Sequence, residues 1–470
     1  MNQPAPQTVF AAPDAAISRH IAEKLAAIHY ADLPDRVREV VRLFTLDTLG
    51  VIAGAAKAPG MAELLTALTA WESDGKATLL LNGARANPAT AALANGAAAH
   101  SLDFDDQHDP ARVHVFCVIL PAVLAAIEAE DRPVSGEEMI TALAVGVEVF
   151  CRLGLTCYNS LGKGWHPTTA VGSISAAAAA SVIFRLDADG FLNAMGLAFV
   201  QLSGTTQFIA DGALAKRVGP GFAARSGVLA AHLARGGITG PHRYLEGNAG
   251  LFTLYERGEV RPEILTEGLG ESWQLLDLSM KPWPCCRCTH TAIQLALELN
   301  ASGLRAGQVA SAEIRMGAVN HRIVGADFNP DHPNPVVHAQ FNAAYAFATA
   351  LEAGEVSIAS FTPARIRGAG AGIAMRCRTV IDEAIGSTEI APAGVRVTLL
   401  DGTIRDVFSP VMRGSPEDPM SQEAVIAKFR SCLSWGFGAE GAGVDRLIDM
   451  IRSLETAPDC SDLIALFRTV

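Results

Sequence analysis

The sequence predicts a mainly helical protein in which a smaller α+β domain is inserted toward the C-terminal end. Three observations lead there. Apolar residues recur at helical spacing from about residue 15 to about residue 270. After Trp283 polarity begins to alternate, and a strand–turn–strand pattern is centred on Asp401-Gly402, a favoured hairpin dipeptide. After Pro419 the spacing returns to that of amphipathic helices.

Taken in order, Pro34 and Asp35 are helix start signals, and Val37, Val40, Val41, Phe44, Thr48, Val51 and Ile52 then share one face. Segments 121–130, 137–153, 168–184 and 223–234 read the same way between glycine-rich breaks. None of this stretch shows a hairpin signal, which predicts an all-α region. Residues 310–316 alternate in polarity, 395–400 and 403–408 flank the turn, and a helix is expected over 339–353. Helices over 422–433, 444–454 and 461–467 can rejoin the helical body. The expected organisation is a helical domain over 1–278, to which 412–470 returns, and an α+β domain over 279–411.

At 470 residues the chain is long enough for two or more cores. Half of it is hydrophobic but only 6% aromatic, a profile suited to closely packed helices with small-residue contacts. The uncharged runs 167–184 and 193–210 draw on Ala, Ser, Thr, Gly and Gln, so they read as buried core helices and not as membrane spans. The first residues carry neither a basic segment nor a long apolar one, so nothing marks them for secretion. Nine irregularly spaced cysteines argue for a reducing, cytoplasmic setting. A net charge of −12 without Lys/Arg clusters argues against a general nucleic-acid binder but permits a small anionic ligand in a local pocket.

Four constellations carry possible chemistry. Between His100 and Asp109 stand Asp103, Asp105, Asp106, Asp109 and two imidazoles, in a chain only 18% charged. On a helix His100, Asp103 and Gln107 would share one face, and Asp105, His108 and Asp109 another. His114 follows. The cluster suits an acid/base site, a metal site or a solvated ion-pair network. In the second, Gly164-Trp165-His166-Pro167-Thr168, His166 is set at the mouth of a helix begun by Pro167, where an anion is favoured, or serves as a simple cap. The third places Lys216 and Arg217 among glycines ahead of an alanine-rich helix, without the spacing of a phosphate-binding loop. In the fourth, Cys285-Cys286-Arg287-Cys288-Thr289-His290 follows Lys281, too tightly spaced for a zinc knuckle. It suits a carboxylate-binding turn built on Lys281, Arg287 and His290.

These segments together resemble the MmgE/PrpD family. The resemblance begins at Leu46-Asp47-Thr48-Leu49-Gly50 and continues through Asn95-Gly96 with His100-Ser101-Leu102-Asp103-Phe104-Asp105-Asp106. It goes on to Gly164-Trp165-His166-Pro167-Thr168 and to Lys216 ahead of Gly221, Ala223, Ala224 and Gly227. Gly240-Pro241 with Leu245-Glu246-Gly247, and Lys281-Pro282-Trp283-Pro284, complete it in the family's order. It implies a helical body made from both ends of the chain, an α+β lid, and an active site between them in a homodimer that needs no metal and no cofactor. Members dehydrate, decarboxylate or epimerise small di- and tricarboxylates. By motif match Asp103, His114, His166 and Lys216 fall at catalytic pocket positions, with one residue inserted ahead of His114. Gln107, Lys281, Cys286, Arg287 and His290 are the candidate substrate-binding residues. The decarboxylating type resembles this chain less at two positions, carrying a histidine where Cys286 stands and a tyrosine near Phe328. Gly219 replaces a histidine often found after the pocket lysine.

The expected activity is therefore a metal-independent hydro-lyase acting on a hydroxylated polycarboxylate. Proton abstraction next to a carboxylate needs a base, a cation for the enolate-like intermediate, and an acid for the leaving hydroxide. Epimerisation and decarboxylation are the alternatives. A metal-dependent hydrolase built on His100, Asp103, Asp105 and Asp106 is the alternative of another class.

Overall fold

A computed structural model describes residues 17–71 and 75–470. The N-terminal stretch on which the no-secretion reading rests lies outside them. The chain divides into two compact units. The first contains the described residues up to Ser101, then Asp106–Leu278 and Val425–Val470; the second contains Leu102–Asp105 and Ser279–Ala424.

The first unit is built of helices whose starts follow from local chemistry. Ser135 accepts from the Glu138 N–H and Glu138 from the Ser135 N–H, a capping box that opens Gly136–Thr156. Asn87 caps Pro88–His100 with proline at its first position, and Asp187 caps Ala188–Val200. The alanine run of Gly172–Ile183 is wholly buried, and a Cβ on Gly227 would fall 2.4 Å from that of Ala176. Alanine and glycine abound because these helices meet almost backbone to backbone.

The run expected to be one helix over 168–184 is Pro167–Ala170 followed by Gly172–Ile183, with Val171 (φ −84°, ψ −14°) carrying the chain between them. Gly136–Thr156 is long and apolar enough to cross a membrane, but 94% of its apolar window is buried in the fold. Its Arg152 is buried too. Arg152 reaches Glu148 at 2.6 Å and the carbonyls of Ile264, Glu267, Gly268 and Ser272, fixing a stretch with little regular structure. The region is not purely helical, because Ala77–Thr78 pairs antiparallel with Arg85–Ala86. Two residues per strand are too few to show alternation in a sequence.

Residues from Val425 onward lie in this unit. The Lys428 ammonium meets the Asp47 carboxylate at 2.6 Å, both buried, and a Cβ on Gly50 would fall 2.9 Å from the Phe429 ring.

The second unit holds a four-stranded sheet in the order Cys377–Ile381, Val309–Met316, Ala393–Leu399, Ile404–Ser409, with the first pair parallel and the others antiparallel. Gly402 takes φ 85° in the hairpin turn, where a side chain would be strained. Ala312, Ile314, Val395 and Val397 share one core with the helices His290–Ala301 and Ala343–Ala353. Elsewhere the sheet aligns Arg378, Glu313, Arg396 and Asp406 across its four strands. This unit runs to Ala424, beyond the expected 411. The Met280 N–H bonds the Gly414 carbonyl at 2.8 Å and Arg287 bonds that of Arg413 at 2.7 Å, which holds the following residues to it.

Candidate active site

The first unit's polar centre is set by a helix crossing. A Cβ on Gly96 would lie 2.8 Å from the Gly221 Cα, and one on Gly221 only 2.2 Å from the Leu93 carbonyl oxygen. The helices Pro88–His100 and Ala215–Arg235 therefore touch through glycine. One helical turn after Gly96, and a turn and a half before Gly221, this contact brings His100 Nε2 to 3.1 Å from Lys216 Nζ. Lys216 thus lies in the first turn of a helix that continues through Gly219, Pro220 and Gly221, not in a glycine loop. Those glycines serve packing.

The acidic segment is likewise not a continuation of the helix. Pro88–His100 stops at His100, and Asp103 takes a left-handed φ of 51°, a conformation aspartate tolerates better than most side chains. The two expected helical faces are therefore not formed. Asp106 instead returns to cap the next helix, its carboxylate accepting from the N–H groups of Val115 (3.1 Å) and Phe116 (2.9 Å). Its carbonyl lies 2.9 Å from His114 Nδ1, and the His114 N–H donates to Thr168 Oγ1 at 3.0 Å. The His114 ring meets that of His100 edge-on, centroids 4.7 Å apart.

His166 is buried just ahead of Pro167–Ala170, with Nδ1 3.0 Å from Thr169 Oγ1 and its ring 5.0 Å from that of Phe208. Its strand-like approach is held by Trp165, whose indole N–H donates to the Tyr255 carbonyl. The same short helix thus carries His166 at its head and Thr168, the partner of His114. Gln107 turns to Asp109 at 2.9 Å. His108 is buried, its Nδ1 accepts from the Ala111 N–H at 3.2 Å, and burial lowers its pKa to about 4 against the opposing pull of Asp109. His108 is a neutral turn-former.

Within the second unit, Lys281 is fully buried and donates to the Asp103 carbonyl at 2.9 Å, with the Asp103 carboxylate at 3.7 Å. Burial disfavours its charge, but the Asp103 and Asp105 carboxylates outweigh this and raise its pKa above the usual lysine value. Gln340 fixes the same segment through the Leu102 carbonyl at 2.8 Å. In the cysteine turn, Arg287 serves the Arg413 carbonyl and His290 lies 3.3 Å from that of Cys285, so both hold the turn's shape. A hydrogen bond from Cys288 lowers the Cys286 thiol's pKa, against burial and Asp103, whereas burial pushes Cys285 up to about 12.

The sequence places His100 and Asp106 in a cluster suited to acid/base or metal chemistry without giving either a specific step, and it assigns Thr168 no role in positioning His114. The spacing of His100 from Gly96, one turn, is a signal by which the crossing could have been found. Of the carboxylates in the metal alternative, Asp106 caps a helix and Asp103 and Asp105 face the Lys281 ammonium. A cavity of about 640 Å³ in the second unit is walled by Phe328, Arg376 and the Arg378–Glu313–Arg396 row, and contains none of the candidate residues.

Comparison with known proteins identifies the family. The MmgE/PrpD N-terminal domain matches residues 19–263 and the MmgE/PrpD C-terminal domain residues 283–454. A cis-aconitate decarboxylase-like protein of Aspergillus oryzae is 27% identical across 97% of this chain and 98% of its own length. The cis-aconitate decarboxylase of Aspergillus terreus is 26% identical across 95% and 94%. The human cis-aconitate decarboxylase is 30% identical across 82% and 80%. With both domain models matched in order over most of its length, the chain belongs to the MmgE/PrpD family.

Proposed function

We propose that this protein is a lyase acting on a small polycarboxylate, and that it removes water from a hydroxylated di- or tricarboxylate by first taking a proton next to a carboxylate. The observation that carries the reading is the Lys216 ammonium 3.1 Å from one imidazole, with a second imidazole packed against the first. A proton α to a carboxylate is so weakly acidic that its removal needs a base together with a cation for the dianionic intermediate. Lys216 is that cation. A histidine is the base, and Asp103 or His114 returns a proton to the departing hydroxide. His166, at the head of its helix, helps hold a substrate carboxylate, and Lys281 supplies positive charge beside Asp103. Family membership supports this chemistry. We further propose that the enzyme works as a cytoplasmic homodimer without a metal or cofactor, since its own ammonium groups can supply the positive charge.

Decarboxylation is the second reading, favoured by the names of the three relatives above. It shares the carbanion-like intermediate and differs in losing CO₂. Cys286, in place of the decarboxylating type's histidine, weighs against it.

Proton NMR of the chelator-treated enzyme in D₂O, with 2-methylcitrate, citrate, cis-aconitate and iminodisuccinate, tests both. Loss of water supports the first reading and loss of CO₂ the second. Deuterium entering next to a carboxylate without either loss points to epimerisation. Turnover only after added Zn or Mn would overturn the metal-free reading.

A further inference from the structure

His100 is buried and His114 half-buried, and their hydrogen bonds give the two imidazoles different work. An ammonium has three donors and no acceptor, so contact between Lys216 Nζ and His100 Nε2 at 3.1 Å requires a bare Nε2. The His100 proton then sits on Nδ1, and the Nε2 lone pair is engaged by Lys216. For this nitrogen to accept a substrate proton, it would have to expel Lys216 or face it as a second cation. His114 is held the other way. Its Nδ1 lies 2.9 Å from a main-chain carbonyl, which only accepts, so Nδ1 carries the proton and the neutral ring is basic at Nε2. Asp106, which provides that carbonyl, is itself fixed through two further N–H groups.

We propose that His100 is a positioning residue that aims the Lys216 ammonium, and that His114 Nε2 is the nitrogen of this pair that exchanges the proton. The kinetic consequence rests on the lyase reading; the tautomer assignment does not.

The test compares His100→Gln with His100→Leu in the full chain. Glutamine can offer its amide oxygen to Lys216 but cannot take a proton at neutral pH. His100→Leu should lose about 10²-fold in kcat/KM through misplacement of Lys216, and His100→Gln should stay within about tenfold of the parent protein. If His100 were the base, both variants would fall together by about 10²–10⁴-fold, which overturns the proposal. Nitrogen-15 NMR of histidine-labelled protein gives a readout free of turnover, with the two resonances assigned through His100→Gln and His114→Gln. Both rings should show the Nδ1–H tautomer, and Lys216→Met should shift His100 Nε2 while leaving His114 Nδ1 in place. A His100 ring protonated on Nε2 would overturn the assignment even if His100→Leu does not fold. If the parent protein turns over nothing in the carboxylate panel, its substrate lies outside that panel, while this spectrum still decides the contact.

Discussion

Gly221 and Leu93 meet so closely that a Cβ on the glycine would stand 2.2 Å from the leucine carbonyl oxygen. No rotamer change relieves a clash with backbone. Gly221→Ala should push the two helices apart and destabilise the protein by about 1–3 kcal/mol, and it should lower turnover by separating His100 from Lys216. Urea unfolding with an unchanged midpoint would show that the crossing does not depend on this glycine.

His166 and Lys216 should be needed for chemistry and dispensable for folding. His166→Gln is expected to cost about 10²-fold in kcat/KM through a misplaced substrate carboxylate, and Lys216→Met about 10²–10³-fold in kcat. Melting temperatures should stay close to that of the parent protein. Normal turnover in a well-folded His166→Gln protein would remove His166 from the mechanism.

His108 makes stability depend on pH in a definite direction. Its pKa is about 4 in the folded protein, below the ordinary 6.5, so between these values the unfolded chain binds the extra proton. Its contribution is complete above pH 6.5 and is lost as pH falls toward 4, on the order of 3 kcal/mol in all. His108→Asn keeps an acceptor for the Ala111 N–H but does not titrate, so its stability should fall less over that window. Parallel slopes for the two proteins in denaturant titrations at pH 7, 6, 5 and 4 would refute this.

The buried Asp47–Lys428 pair predicts an asymmetry. Lys428→Met leaves a carboxylate without its cation and should destabilise by about 3–5 kcal/mol, whereas Asp47→Leu combined with Lys428→Met should recover much of that loss. Thermal melts of the two single variants and the double one form the cycle. Additive losses would mean that the pair is not coupled.

Periodicity made the long elements legible. The Asp35–Gly54 helix, the Val309–Met316 strand and the hairpin at Gly402 all follow from spacing and turn chemistry. The same rules misplace Lys216, because glycine and proline read as helix breakers. Here Gly219, Pro220 and Gly221 lie inside a helix, and the glycine at 221 lets a neighbouring backbone approach. They also extend the helix past His100, since the left-handed turn at Asp103 leaves no mark in spacing. The motif residues His114, His166 and Lys216 could be named from sequence. Which ring nitrogen carries a proton could not, because that is set by the turn that brings the Asp106 carbonyl back to His114 and by Lys216 arriving at His100 from a distant part of the chain.

The ion pair between Asp47 and Lys428 also sets an order of assembly during synthesis. The carboxylate leaves the ribosome roughly 380 residues ahead of its cation, a wait of roughly 20–80 s at ordinary translation rates. Through that interval the first helices lack the packing that the last ones supply, while the residues of the second unit emerge and are able to condense before Lys428 arrives. A nascent chain halted with residues up to about 424 outside the ribosome should therefore hold a complete second unit while its helical unit is unfinished, and present chaperones with the apolar surface that Phe429 and its neighbours cover in the complete protein.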